Sequence, residues 1–129
     1  MIKQTLWVFS IAGLMMTCNS SVSPDDLYGK WNYIKIEHTA NGELDMDSVE
    51  LRKEAASIVF AKNNEYEINW GGKILSHGNF TPDGKNIRVK EVLPDGKTRE
   101  FPFWVSELSD KKIVFETLGK EGLKVTAVR

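Results

Sequence analysis

Few residues in this sequence have the types and spacing that catalysis or metal binding requires. The two histidines, His38 and His77, lie far apart along the chain, and neither has a spacing typical of metal ligands. No serine lies in a Gly-x-Ser-x-Gly motif, and no phosphate-binding glycine loop is present. Alternate carboxylates between residues 43 and 50 resemble ligands for a hard cation, but the segment lacks the central glycine of an EF-hand loop. We therefore predict a protein that is not an enzyme and has no metal or cofactor, and we interpret the acidic segment as a solvated loop.

Aromatic side chains are the more informative feature of the sequence. Nine of them fall on the predicted inward faces of strands: Trp31, Tyr33, Phe60, Tyr66, Trp70, Phe80, Phe101, Phe103 and Phe115. Those expected to line a cavity for a small apolar ligand are Tyr66, Trp70, Phe80, Phe101 and Phe103. The alternative is that these rings fill the core of a small domain and leave little void, and the size of the rings favours it. Trp104 has the opposite parity to its neighbours, so we expect it to point outward, either to contact a partner protein or to lie beneath a loop.

The N-terminal residues have the pattern of an export signal. A lysine at position 3 is followed by an uncharged, almost entirely apolar run from Thr5 to Met16, and the single cysteine, Cys18, comes just after it. Such a run is too short to span a bilayer, which needs about 20 apolar residues. The pattern predicts a signal peptide over residues 1–17. The alternative is an N-terminal core helix with an ordinary buried cysteine.

The sequence around Cys18 resembles a bacterial lipobox, in which a small residue precedes the cysteine that is acylated, for example with palmitate. This resemblance implies a lipoprotein anchored to a membrane through Cys18, and it accounts for an unpaired cysteine in an exported chain. Residues 18–26 are polar and read as a flexible tether. Because Asn19 follows the cysteine where aspartate would retain the protein in the inner membrane, we expect the outer membrane of a Gram-negative cell envelope.

Composition limits the remaining possibilities. The chain has 129 residues and a net charge of −1, and no run of lysine or arginine exceeds two residues. We therefore expect no nucleic-acid binding. Residues 27–129 are enough for one compact domain and too few for two, and we expect a monomer.

From Leu27 onward, apolar and polar residues alternate, and turn signals recur at short intervals. The clearest strand is 65–70, where Tyr66, Ile68 and Trp70 share one face, and Gly71-Gly72 predicts a tight hairpin after it. In the next strand, Lys73 to Phe80, alternation places Ile74, Ser76, Gly78 and Phe80 on the inward face. Eight such strands, joined in sequence by short turns, predict an all-β fold: an eight-stranded up-and-down antiparallel barrel. A β-sandwich is the alternative.

The segment that opens the first strand, Leu27-Tyr28-Gly29-Lys30-Trp31, resembles the Gly-x-Trp start of lipocalins, and the rest of the domain is similar to the small lipocalin-like domains of bacterial lipoproteins. The resemblance implies a structural motif of Gly29, Trp31 and Arg129, in which the arginine lies across the tryptophan at the closed end of the barrel. The chain is shorter than a typical lipocalin, so the resemblance does not carry deep ligand binding with it.

One long connection, 39–56, interrupts the succession of short turns, and its second half is weakly helical. In lipocalins the corresponding connection lies over the open barrel mouth. We therefore expect a lid whose underside is formed by Leu44, Met46, Val49 and Leu51, and whose shortening would leave folding intact. Two functions follow: a module that binds a small apolar ligand at the open end, or a filled barrel that binds or inhibits another envelope protein.

Overall fold

The computed structural model describes residues 21–119 and 121–129, so the predicted signal peptide, Cys18 and Asn19 lie outside the described residues. The described chain contains nine strands and two short helices. In chain order they are α1 (Pro24–Leu27), β1 (Gly29–His38), β2 (Leu44–Met46), α2 (Ser48–Lys53), β3 (Ser57–Phe60), β4 (Glu65–Trp70), β5 (Lys73–Asp83), β6 (Asn86–Val92), β7 (Thr98–Leu108), β8 (Lys112–Thr117) and β9 (Leu123–Val128). Within these ranges, no helix has the length and apolar character needed to cross a bilayer.

The strands form one antiparallel sheet that closes on itself. Strands β3 to β9 pair with their sequence neighbours, and β1 pairs with β3 along its first half and with β9 along Asn32–His38. Eight strands therefore make a complete barrel, which confirms the predicted fold class and rules out the sandwich. Strand β2 is an addition that pairs with the end of β1 through Ile36 and Met46.

The β4–β5 hairpin shows how local sequence sets the register. Gly71 and Gly72 have φ angles of +62° and +79°, the left-handed pair that a two-residue turn of this twist requires. A bulge then shifts the register, so that Ile68 pairs with Ser76 but Asn69 pairs with Ile74. The predicted inward position of Ile74 is therefore wrong. The extra residue turns its side chain to the outer wall, where it is exposed.

The segment 39–56 is built of regular structure. Asp47 begins α2 with a capping box, because its side chain accepts a hydrogen bond from the Glu50 N–H at 2.9 Å while the Glu50 carboxylate accepts from the Asp47 N–H. The helix buries Leu51 completely in the core. Shortening this segment would therefore remove a core residue, so we expect it to lower the stability of the domain.

Only part of the predicted underside of this segment faces the protein. Leu51 is buried and Met46 is partly buried, whereas Leu44 and Val49 are more than half exposed. In α2, positions two residues apart point to nearly opposite sides, so Val49 cannot share the buried face of Leu51. The two exposed side chains leave an apolar outer surface on the segment.

The core of the barrel is packed with aromatic rings. Phe60 and Phe80 pack edge to face with ring centroids 4.9 Å apart, and Phe103 packs 4.8 Å from Phe115. Of the nine rings predicted to point inward, seven are buried and Trp70 and Phe101 are partly buried against the same core. This interior is close-packed, as expected for a small barrel filled by its own side chains.

The closed end of the barrel is sealed around Trp31. This side chain is fully buried, and its Nε1–H donates a hydrogen bond of 2.8 Å to the carbonyl oxygen of Leu27 in α1. The guanidinium carbon of Arg129 lies 3.9 Å from the centre of the Trp31 ring, so the predicted contact is present. Arg129 also donates to the carbonyl oxygens of residues 26, 28 and 110 and so ties three chain segments together.

Two further features of this end depend on local backbone geometry. Gly29 has φ +128°, which favours glycine, and a Cβ atom there would lie 3.4 Å from Nη1 of Arg129. Regular structure is also present before Leu27, where the sequence predicts a flexible tether. Pro24 is in the first turn of α1, where its missing N–H costs no hydrogen bond, and Val22 is buried.

Candidate functional site

The open end of the barrel contains a chain of polar side chains that reaches across four strands. Tyr66 on β4 has its hydroxyl oxygen 2.8 Å from Oγ of Ser76 on β5, and Ser76 Oγ–H donates to Oε2 of Glu91 on β6 at 2.7 Å. Arg99 on β7 completes the chain, since its Nε–H donates to Oε1 of Glu91 at 2.6 Å. Cross-strand register brings these groups together, because Glu91 pairs directly with Arg99 and Ile68 pairs with Ser76.

The direction of each hydrogen bond follows from the number of protons available. Ser76 has one hydroxyl proton and gives it to Glu91, so Tyr66 must donate its own proton to the Ser76 oxygen. Burial is the main reason that the pKa of Tyr66 is raised, and the Glu91 charge adds to the shift, whereas Ser76 and Arg99 oppose it. Tyr66 therefore stays a protonated donor at neutral pH.

Glu91 and Arg99 are unequally buried. Glu91 is 8% exposed, whereas 64% of the Arg99 side chain is exposed. The Arg99 guanidinium carbon lies 5.5 Å from the centre of the Phe101 ring, which holds the cation beside an aromatic face. The carboxylate thus lies within the barrel interior and the arginine extends from it toward solvent.

A cleft opens in the barrel wall beside Arg99. The ladder between β7 and β8 starts only at the Phe103–Thr117 pair, so residues 98–102 pair with β6 alone. Val105 N–H donates to Lys85 O, on the β6 side of β7. Successive backbone groups along a strand face opposite neighbours, so the backbone nitrogen of Pro102 faces β8. Proline has no N–H and cannot donate a hydrogen bond there. The ladder ends there, at the last residue of β8, Thr117.

The resulting cleft has a volume of about 340 Å³ and is lined by side chains and backbone of Arg99, Glu100, Phe101, Pro102, Thr117 and Leu118. Leu118 is 66% exposed, the largest exposed fraction among the large apolar side chains of the described chain. Apolar surface and an arginine therefore meet at one opening.

The residues predicted to line a ligand cavity divide into two groups. Phe80 and Phe103 are 2% and 3% exposed and packed against other rings, so a ligand would have to displace them. Tyr66 belongs to the polar chain, Phe101 lines the cleft, and Trp70 is partly buried on β4. The structure thus brings Tyr66 and Phe101 to the same end of the barrel through the Glu91–Arg99 pair.

Glu91 and Arg99 are not among the residues predicted for the site, although the sequence contains a signal for both. Glu91 has the same parity as Ile87 and Val89 on β6, and Arg99 has the same parity as Phe101 on β7. A charged residue that continues an apolar face into the barrel is the pattern that could have found them. Charges in such a position need a partner, and each of these residues is the partner of the other.

The groups considered for metal chemistry have other contacts. Nε2 of His38 lies 3.2 Å from Oδ1 of Asp45, which joins β1 to β2, and His77 lies opposite Glu67 on the outer wall. In the part of the chain that the structure describes, no group of three or more histidine, cysteine or acidic side chains is arranged to hold a metal ion.

Comparison with known proteins supports the fold and goes no further. No protein-family model matches the chain, and no curated protein matches it. Among solved structures, it is similar to a lipocalin-like protein from Bacteroides uniformis ATCC 8492, with a TM-score of 0.55 and 18% sequence identity over 79% of this chain and 97% of that one. The chain has a lipocalin-like fold. At this identity the likeness concerns architecture, and function must be argued from the site.

Proposed function

We propose that this protein binds a small molecule with an apolar portion at the open end of its barrel. The observation that carries the proposal is the polar chain from Tyr66 to Arg99 at the open end, which adjoins a cleft of about 340 Å³ with apolar side chains. The closed end also has a cleft, of about 360 Å³, but there Trp31 and Arg129 seal the barrel interior. Concave sites of this volume with a few convergent polar groups are typical of small-molecule binding.

We also propose that the protein acts without catalysis, as a lipoprotein attached to the cell envelope through Cys18, in the outer membrane. The apolar run that ends at this cysteine supports the anchor. Ser21 and Val22 lie at the closed end, where Val22 N–H donates to Gly84 O at 2.7 Å. An anchor at Cys18 would therefore hold the closed end toward the membrane and leave the open end facing away from it.

A fluorescence titration with Nile red, a neutral apolar dye, tests binding at the cleft. Leu118 lines the cleft and Leu75 does not, yet the two leucines are almost equally exposed, at 66% and 64%. A charge in the cleft must be desolvated when an apolar dye binds, so Leu118→Lys should weaken dye binding by about tenfold or more. Leu75→Lys should bind the dye as the parent protein does.

The opposite pattern would contradict the proposal. If Leu75→Lys abolished dye binding and Leu118→Lys did not, the dye would be bound at the β4–β5 hairpin. An absence of dye binding by the parent protein would also count against a small-molecule site.

A second candidate function, binding another envelope protein, is favoured by exposed apolar side chains outside the cleft. Ile74 and Leu75 are adjacent and more than half exposed, and Trp104 is 37% exposed on the outer wall between Asn86 and Glu116. Exposed aromatic and aliphatic groups of this kind are typical of protein contacts. If Leu118→Lys lost dye binding but still bound an envelope partner protein, this second function would be favoured.

A further inference from the structure

The Glu91–Arg99 pair is a costly way to fill the interior of a barrel. Removing a carboxylate from water carries a penalty that an ion pair often only balances, and apolar residues of similar volume are frequently as stable or more so. The core cluster of this barrel fills the interior with apolar side chains instead. Stability alone therefore does not explain why β6 continues its inward face from Val89 to a glutamate.

The hydrogen bonds of the polar chain leave one kind of group free. Both oxygens of Glu91 already accept a hydrogen bond, and the hydroxyl protons of Tyr66 and Ser76 are both donated along the chain. Arg99 uses only Nε, and within the described residues its two terminal nitrogens have no hydrogen-bond partner. The free groups on Arg99 are thus donors, arranged as a planar fork that matches two carboxylate oxygens.

The neighbouring charges leave this fork available to an anion. Glu100 also lines the cleft, but its direct cross-strand neighbour is Lys90, so the charges of these two residues offset each other. Glu91 is held on the Nε side of Arg99 and leaves the terminal nitrogens free. Phe101 and Leu118 supply apolar surface next to the same arginine.

We propose that the ligand is an amphiphile with a carboxylate head group, which the terminal nitrogens of Arg99 bind while its apolar chain lies against Phe101 and Leu118. Glu91 and Ser76 are positioning residues: they fix the Nε side of the guanidinium so that the fork points into the cleft. This inference rests on the proposed small-molecule function and specifies the class of ligand.

Three ligands with one chain length separate head-group recognition from apolar binding. Isothermal titration of the purified protein with decanoate, methyl decanoate and decylamine should give the tightest binding for decanoate, by about tenfold over the ester, as charge-assisted hydrogen bonds replace neutral contacts. Decylamine, which carries a positive charge, should bind more weakly than the ester.

Variants of two arginines then locate the effect. Arg99→Met should remove the preference for decanoate and leave ester binding within about twofold, because the apolar surface remains. Arg99→Lys, which keeps the charge but loses the fork, should restore only part of the preference. Arg88→Met is the matched control, since Arg88 is an exposed arginine on the neighbouring strand that pairs with Asp83, and it should behave as the parent.

The outcomes distinguish this inference from the proposed function. Equal affinity for acid and ester, tighter binding of the amine, or a preference for the acid that survives in Arg99→Met would overturn carboxylate recognition and leave apolar binding intact. Failure of all three ligands to bind the parent protein would remove the proposed function itself. Ester binding measured in the same Arg99→Met sample shows that this variant is folded.

Discussion

Replacing Trp31 with alanine is expected to lower the free energy of unfolding by about 3–5 kcal/mol, the usual cost of removing a buried large aromatic side chain. Trp31 is fully buried, donates a hydrogen bond to Leu27 O, and has the Arg129 guanidinium over its ring. A domain of this size has a total stability of about 5–15 kcal/mol. The substitution should therefore remove a large part of it and shift the midpoint of urea unfolding accordingly.

Trp104 provides the matched control for this measurement. It is also a tryptophan on a barrel strand, but its side chain points to the outer wall and is 37% exposed. Trp104→Ala should cost much less, on the order of 1 kcal/mol. Equal destabilisation by the two substitutions would mean that Trp31 has no special role in sealing the closed end.

Replacing Cys18 with alanine is expected to move the protein from the membrane fraction to the soluble fraction of the envelope. Cys18 is the only cysteine of the chain, and it follows directly on the predicted signal peptide, so it is the one position where lipobox acylation can occur. Without acyl chains, the domain has no polybasic segment to hold it at an anionic surface. Cell fractionation followed by immunoblotting measures the change.

Ser23→Ala, a substitution in the same N-terminal region, serves as the control and should leave the protein in the membrane fraction. Membrane retention of Cys18→Ala at the level of the parent would contradict lipid anchoring. Retention that disappears in both variants would indicate that the whole segment, and not the acyl group, is needed for attachment.

Periodicity predicted the wall of the barrel well because burial on one side of a strand requires alternation. Tyr66, Ile68 and Trp70 alternate with polar residues, and the turn after them needs two residues with positive φ, which Gly71-Gly72 provide. The eight predicted strands are all present, and the pairing of β1 with β9 closes them into a barrel. The one extra strand, β2, has three residues, too few to show a period.

The errors have equally specific physical causes. Ile74 was assigned inward because alternation was continued through a bulge, which a pattern of period two cannot reveal. The segment 39–56 was expected to be a removable lid, although a capping box and one buried leucine make it part of the core. Glu91 and Arg99 each continue the inward face of a strand, but that they pair with each other depends on the register between β6 and β7, which the sequence alone does not reveal.

Native mass spectrometry tests most directly whether the open end of this barrel holds a small molecule. The protein should be purified in mild detergent from the cells that make it. We expect a noncovalent adduct of small-molecule mass that is reduced in Leu118→Lys and retained in Leu75→Lys. A spectrum with only unliganded protein in the parent, or an adduct equally retained in Leu118→Lys, would contradict it.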